Sequence, residues 1–343
     1  MVKFKKEGVL LNKTTLDFEN EGVLNPGMIC EGDIIHMFYR AVSNGNYSSI
    51  GYCRLNGPLS VAERYDHPLI IPEFDYESHG IEDPRIVKID DLYYLTYTAY
   101  DGINAQGALA VSHDLKHFEK KGIIIPKISY AQFLALVESP GSIYEKYYLN
   151  QTFYHNPLAP PELSKIWDKD VLFFPRRIQG KLAFLHRIRP GIQIVKIDNL
   201  AELTDEFWGH YIKNLHDYIV MDTVYPYGNC YIGGGCPPIE TAQGWLLIYH
   251  RAEITPLKTI YSASAVLLDL NDPFKVIARL PYALIEPELD YELVGEVNNV
   301  VFPTGSVLIG DTLYIYYGAA DLCIAVASIS LSELLSELNL YNI

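Results

Sequence analysis

The chain has 343 residues, 27 of them tyrosine and 13 phenylalanine, and a formal net charge of −15 at pH 7. That acidity argues against a nucleic-acid partner, because binding a phosphate backbone needs a basic face that releases counterions. Five scattered cysteines (Cys30, Cys53, Cys230, Cys236, Cys323) with no CxxC pair give neither a disulfide framework nor a zinc site. With no run of about 18 apolar residues and no secretory leader, a cytoplasmic protein without a membrane partner is expected.

The aromatic content favours strands. In chain order, one theme occurs five times: a small or proline-containing start, an apolar strand, a Gly/Asp turn and a Tyr-rich strand ending in a polar residue. The copies are NPGMICEGDIIHMFYRAV from Asn25, DPRIVKIDDLYYLTYTAY from Asp83, FPRRIQGKLAFLHRIR from Phe174, PPIETAQGWLLIYHRAE from Pro237 and FPTGSVLIGDTLYIYYGAAD from Phe302. Pro26 precedes Tyr39 by 13 residues, Pro84 precedes Tyr97 by 13, Pro175 precedes His186 by 11, Pro238 precedes Tyr249 by 11 and Pro303 precedes Tyr317 by 14. Each copy is followed by another strand-like segment, and the turns EGD, IDD, QGK, AQG and GD suit antiparallel meanders.

Five such meanders predict an all-β chain, a five-bladed β-propeller forming a single domain over residues 1–343, with a decorated β-sandwich as the rival architecture. Residues 125–165 interrupt the pattern with a short helix (AQFLALVE) and a proline-rich loop, HNPLAPPELSK. The C-terminal segment LSELLSELNLYNI, residues 331–343, reads as a short amphipathic helix. In a propeller the five prolines would stand at equivalent points near the central channel. The polar residues around them (Asn25, Arg40, Asp83, Arg85, Arg187, His250 and Asp321) would converge on one cavity.

The motifs GIEDPRI, LFFPRRIQGKLAFLHR, IGGGCPPIETAQGWLLIYHR and NVVFPTG with LYIYYGAAD, in this order, resemble glycoside hydrolase family 130, a family of β-mannoside phosphorylases and β-mannosidases on five-bladed propellers. The resemblance implies that Asp83 is the catalytic acid, protonating the glycosidic oxygen through the 3-hydroxyl of the mannose. It places Asn25, Arg40 and Asp321 around that sugar, and Arg187 and His250 around inorganic phosphate. A phosphorylase needs no protein base, since its nucleophile is already an anion. Arg187 suits a bidentate grip on phosphate.

Two phosphate positions depart from the family pattern. An Arg-Asn pair is replaced by Lys169 and Asp170, and a lysine by Tyr231. Lys169 and Tyr231 therefore stand as altered phosphate contacts, and Asp170 would repel the anion unless paired. Arg176, Arg177 and Arg189 offer replacement charge, of which strand alternation turns only some inward.

The implied substrates are a small mannoside, of mannobiose, mannosyl-glucose or mannosyl-N-acetylglucosamine type, and inorganic phosphate. The implied product is α-mannose 1-phosphate, with no cofactor and no metal; self-association into a homo-oligomer stays open. One alternative is a β-mannosidase that activates water with Glu253, Glu292 or Glu296. Another is a non-catalytic carbohydrate-binding propeller. Taken alone, Asp83 reads as a turn cap and His250 as a core histidine; their place in the repeat is what recommends them. Gly233, Gly234 and Gly235 lack phosphate-loop spacing and are expected to allow close backbone approach. Among the tyrosines, Tyr231 or Tyr100 is a candidate platform for a sugar ring.

Overall fold

A computed structural model describes residues 2–137, 145–150, 164–223 and 230–343. The chain is all-β with few helices, and among the described residues the strands form five antiparallel meanders. The first comprises Gly22–Glu31, Ile34–Ser43, Tyr47–Asn56 and Val61–Arg64; the second Gly80–Ile89, Leu92–Tyr100, Ala105–Ser112 and Glu119–Ile123. The third comprises Asp168–Phe173, Leu182–Ile188, Ile192–Ile197 and Ile219–Met221. The fourth opens with Cys230–Gly234 and Ile239–Thr241, then Gly244–Ile254, Thr259–Leu268 and Val276–Arg279. In the fifth, Val301–Ile309, Thr312–Ala319 and Cys323–Ser330 are completed by Phe4–Leu11 from the far end of the chain.

Hairpin turns follow their sequence signals. Two-residue loops favour φ above zero, and Gly32, Asp90, Gln179, Gly180 and Gly310 adopt it (φ 61°, 55°, 53°, 81° and 60°). Between meanders the pairing is sparse: Ser48 with Gly80 and Gln106 with Asp168 are the single parallel pairs that link the first three.

Packing of one sheet face on the next supplies the cohesion. Along Gly244–Ile254, Trp245, Leu247 and Tyr249 enter a core shared with the third meander, while Leu246 and Ile248 enter one shared with the fifth. Likewise Phe184 packs toward the second meander and its neighbour Leu185 toward the fourth. Successive strand residues point to opposite faces, so a strand buried on both sides is apolar throughout rather than alternating. The first and second meanders share Phe38, Ile81 and Leu95, and the fifth and first share Met37, Tyr39 and Tyr316. The first strands follow the same order from the first meander to the fourth, and Val301–Ile309 of the fifth returns against Gly22–Glu31 of the first.

In the first, second and fifth meanders the tyrosine of the second strand is pinned from outside the sheet. Tyr39 donates to Glu19 (2.8 Å), Tyr97 to Glu77 (2.6 Å) and Tyr317 to Glu292 (2.7 Å). Each fully buried glutamate is also paired with a cation, Arg64, Lys120 and Lys6 respectively. A buried carboxylate persists only when its charge and lone pairs are met. The matching sequence signal, Asp-Phe-Glu at Asp17 and Asp-Tyr-Glu at Asp75 and Asp290, is a second repeat beside the meander theme.

Helices are few. The expected short helix spans Tyr130–Val137, with Phe133 and Val137 buried; of the proline-rich loop, residues 155–163 lie outside the described residues. The C-terminal helix Leu331–Leu338 is N-capped by Ser330, whose Oγ accepts from the Glu333 N–H, and its Leu334, Leu335 and Leu338 seal the core between the fourth and fifth meanders. A helix over Asp205–Lys213 adds to the expected set: capped by Thr204, it buries Trp208, Tyr211 and Ile212, an i, i+3, i+4 stripe. All five cysteines are free, and Cys30 is exposed rather than buried. No helix among the described residues is long and apolar enough to cross a membrane.

Candidate active site

The first strands of the first, second, third and fifth meanders carry an irregularity in register. In the first meander Leu24 pairs with Arg40 and Gly27 with Phe38, leaving Asn25 and Pro26 together opposite Tyr39. The second repeats this with Asp83 and Pro84 opposite Tyr97, and the third with Asp170 and Val171 opposite His186. Asn25, Asp83 and Asp170 take φ of 50°, 52° and 59°. Among residues with a Cβ, Asn and Asp tolerate that left-handed conformation best. A bulge re-aims side chains, which is how three polar groups come to face the middle of the molecule.

The proline equivalence holds for Pro26 and Pro84 and fails beyond them. Val171 takes the place expected for Pro175, and Gly234 and Gly235 take that expected for Pro238, since Gly234 pairs with Tyr249 and the Gly235 N–H donates to Ile248. Pro303 stands one position early, at the level of Asn25 and Asp83, with Thr304 following. The bulge needs an inserted residue, not proline. The other half of the repeat is in register: Arg40, Thr98, Arg187, His250 and Gly318 each follow the closing aromatic or His186, opposite Leu24, Glu82, Lys169, Gly233 and Phe302.

Of the eight residues chosen as site residues, seven (Asn25, Arg40, Asp83, Lys169, Arg187, Tyr231 and Asp321) line one cavity of about 220 Å³. Its acidic end is built on Asp83, which accepts from Asn25 Nδ2 at 2.7 Å; both residues are almost fully buried. Gly318 makes room for that pair, since a Cβ there would fall 2.0 Å from Asn25 Oδ1. Arg40 is held by Glu82 (2.8 Å) and by Ser48, which accepts from its Nε. Asp321, also at positive φ, is pushed up to about 6: burial penalises its charge and the Asp83 carboxylate adds to this, against the pull of Arg40.

At the basic end Asp170 is the keystone. Arg187 Nε lies 3.0 Å from one of its oxygens and Arg85 Nη2 3.3 Å from the other. Burial alone would raise its pKa, but the two guanidiniums outweigh that and hold it well below the usual carboxylate range. The repulsion expected of Asp170 is thus met by pairing. Arg85 itself does not reach the cavity: its Nε and Nη2 donate to the carbonyls of Gly235 and Gly234 and its Nη1 to that of Asp83, so it is a strut beneath the site.

His250 also departs from expectation. It is fully buried behind the lining, with its ring 4.4 Å from that of Phe302 and Nε2 3.8 Å from Asp170. Its two ring nitrogens have no hydrogen-bond partner among the described residues. Burial first, then the neighbouring Arg187 and Arg85, lower its pKa to about 3 despite Asp170. It is a neutral group at physiological pH.

Tyr231 is a cavity residue, whereas Tyr100 donates to the Gly102 carbonyl and packs on His79. Of the three additional arginines, only Arg189 lines the cavity. Arg176 pairs with Glu240, and Arg177 meets Asp90 and two carbonyls away from it. The three glycines do allow close approach: a Cβ on Gly235 would meet the Ile248 carbonyl at 2.6 Å and the Pro303 carbonyl at 3.0 Å.

Among the candidate bases, Glu292 is buried in its Tyr317 and Lys6 contacts, and Glu253 pairs with Arg251. Glu296 borders an adjoining cavity of about 340 Å³ that shares Arg40, Val297 and Asp321 with the first.

Trp167, Tyr261, Val300 and Phe302 also line the cavity and were not anticipated. The Trp167 indole N–H donates to the Ile103 carbonyl at 2.9 Å, fixing its ring at the opening. Trp167 and Lys169 stand two apart, a spacing that would have put both on one face. Among the described residues, no group of three or more His, Cys, Asp or Glu side chains is placed to hold a metal ion.

Known proteins share this arrangement of strands. The chain is 33% identical over 348 residues to a 1,2-beta-oligomannan phosphorylase of Thermoanaerobacter sp. (strain X514), covering 97% of this chain and 99% of that protein. It is 33% identical to a beta-1,2-mannobiose phosphorylase of the same strain, covering 91% of each. The solved beta-1,2-mannobiose phosphorylase of Listeria innocua, in complex with beta-1,2-mannobiose, superposes with a TM-score of 0.72 at 23% identity over 98% of this chain and 99% of that one. Residues 11–156 and 151–340 match glycoside hydrolase family 130, under the description beta-1,4-mannooligosaccharide phosphorylase. The chain therefore belongs to the enzyme family glycoside hydrolase 130.

Proposed function

We propose that this protein is an inverting β-mannoside phosphorylase with a single active site at the centre of one five-bladed β-propeller domain. The cyclic sequence of shared cores supports the propeller reading. One observation carries the functional reading: a single cavity has a carboxylate end, Asp83 and Asp321, and a cationic end, Lys169, Arg187 and Arg189. Inversion needs an acid on one face of the sugar and a nucleophile on the other.

In the proposed reaction a phosphate oxygen attacks the anomeric carbon of a terminal β-mannosyl unit. The bond to the leaving sugar breaks, its oxygen takes the proton supplied by Asp83 through the mannose 3-hydroxyl, and α-mannose 1-phosphate forms. Asn25, Arg40 and Asp321 orient the mannose. Arg187 and Lys169 attract the anion, and His250, neutral and buried behind them, donates or accepts a hydrogen bond rather than adding charge. The only co-reactant is inorganic phosphate, a cytoplasmic metabolite, and the second substrate is a small oligosaccharide. Names of relatives favour β-1,2 linkages.

The hydrolytic reading retains one structural support, the position of Glu296 at the adjoining cavity. Incubation with β-1,2- and β-1,4-mannobiose, with and without phosphate, separates the two. Phosphate-dependent mannose 1-phosphate is the expected product. Equal release of free mannose without phosphate would exclude phosphorolysis, and an inert protein that still binds mannobiose would identify a carbohydrate-binding module.

A further inference from the structure

We propose that Arg189 is an additional anion-binding residue of this cavity and that Tyr231 is its positioning residue, acting through its ring rather than by gripping the anion with its hydroxyl. The inference deepens the phosphorolysis reading and rests on it for the identity of the anion, a tetrahedral oxyanion such as inorganic phosphate.

Arg187 and Arg189 stand two residues apart and both reach the cavity. Their guanidinium carbons lie 5.0 and 4.0 Å from the centroid of the same Tyr231 ring. Two adjacent guanidiniums repel one another; an aromatic face attracts each and fixes its plane. The Tyr231 hydroxyl is engaged elsewhere, 2.6 Å from that of Tyr261. That contact, in which either oxygen can be the donor, and a further hydrogen bond with the Arg187 guanidinium orient the ring.

Arg187 is fully buried and tied to Asp170, with Nη2 meeting no hydrogen-bond acceptor among the described residues. Arg189 is only partly buried. A tetrahedral anion between them would meet the open edge of one guanidinium and the planar fork of the other, with Lys169 as a third cation. Tyr231 in place of a lysine thus loses one charge and gains a scaffold that brings Arg189 into the site.

The test measures KM for phosphate and for mannobiose separately, and binding of inorganic phosphate alone by calorimetry, in Arg189→Ala, Arg189→Lys, Tyr231→Phe and Tyr231→Leu. Arg189→Ala is expected to weaken phosphate on the order of tenfold to a hundredfold while KM for mannobiose moves by no more than about twofold. Arg189→Lys, which retains the charge but not the fork, falls between and serves if the alanine variant does not fold. Tyr231→Phe, the conservative variant, retains most of the phosphate affinity that Tyr231→Leu loses.

Unchanged phosphate binding in Arg189→Ala would overturn the inference, as would equal losses in Tyr231→Phe and Tyr231→Leu, which would make the hydroxyl the contact. If the unaltered protein releases mannose without phosphate, the phosphorolysis reading fails, and the calorimetric comparison still decides whether Arg189 binds an oxyanion.

Discussion

Asn25 and Asp83 meet across two neighbouring meanders: the Asn25 amide donates to the Asp83 carboxylate at 2.7 Å, and each residue is held at a φ near +50° by the same bulge in its own strand. One structural device, repeated, brings the Asp83 carboxyl and the Asn25 amide together at a point neither strand could define alone.

Replacing Asp83 by Asn should separate binding from chemistry. Turnover of a mannobiose with phosphate is expected to fall by about 10²–10⁴, the usual contribution of a positioned acid, while mannobiose still binds by calorimetry. Near-normal turnover would remove Asp83 from the reaction.

Gly318→Ala tests the same pair at one remove. The new methyl group would collide with Asn25 Oδ1, so the amide must rotate away from Asp83. The expected result is a loss of turnover on the order of tenfold or more with the strand pairing intact by circular dichroism. Unaltered kinetics would mean that the contact is not needed.

Asp321 links the site to stability. Its native pKa of about 6 stands above the ordinary 3.8, so the folded protein holds this proton more tightly than the unfolded chain. Its contribution favours folding at low pH and is lost as pH rises through 6. At pH 7 the folded state bears the cost of a buried charge. Asp321→Asn is therefore expected to be about 1–3 kcal/mol more stable than the unaltered protein at pH 7 and no more stable near pH 4, while binding mannoside poorly. Urea unfolding at the two pH values measures this; an equal stability difference at both would refute it.

His250 has the opposite sign. With its pKa lowered from 6.5 to about 3, the unfolded chain takes up the proton first, so the neutral ring's contribution is complete above pH 6.5 and is lost as pH falls toward 3. At pH 5 the loss from this residue is about 2 kcal/mol. His250→Gln should flatten the unfolding profile between pH 6.5 and 4; a profile that keeps its full slope would show that the ring is protonated in the native state.

Arg85→Ala should chiefly affect folding. It would strip Asp170 of one partner and leave the carbonyls of Gly234, Gly235 and Asp83 without their donor. A cost of about 3–5 kcal/mol is expected from breaking a buried pair on one side, read as a lowered urea midpoint. A change below about 1 kcal/mol would mean that water replaces the guanidinium.

The amino-acid sequence by itself determined the five meanders, their turns and the terminal helix, and its repeat pointed to five cavity residues, Asn25, Arg40, Asp83, Arg187 and Asp321; Lys169 and Tyr231 were singled out only by the family resemblance. These depend on local chemistry: apolar and aromatic runs set strands, Gly and Asp set hairpins, and the residue after each closing aromatic recurs at a fixed place in the repeat. Asp17-Phe18-Glu19 and its two partners were legible there too, as a repeat of three residues too short to stand out without the tyrosines they bind.

The tertiary structure decided which charges reach the cavity. Arg85, Arg176 and Arg189 look alike in the chain, yet one braces three carbonyls, one pairs with Glu240 at the surface and one lines the site. Whether Asp170 repels an anion or anchors Arg187, and whether His250 is charged, depends on burial and on groups brought in from other meanders. Coulomb and desolvation energies are functions of distance and surroundings rather than of sequence separation, so those outcomes exist only once the meanders have packed.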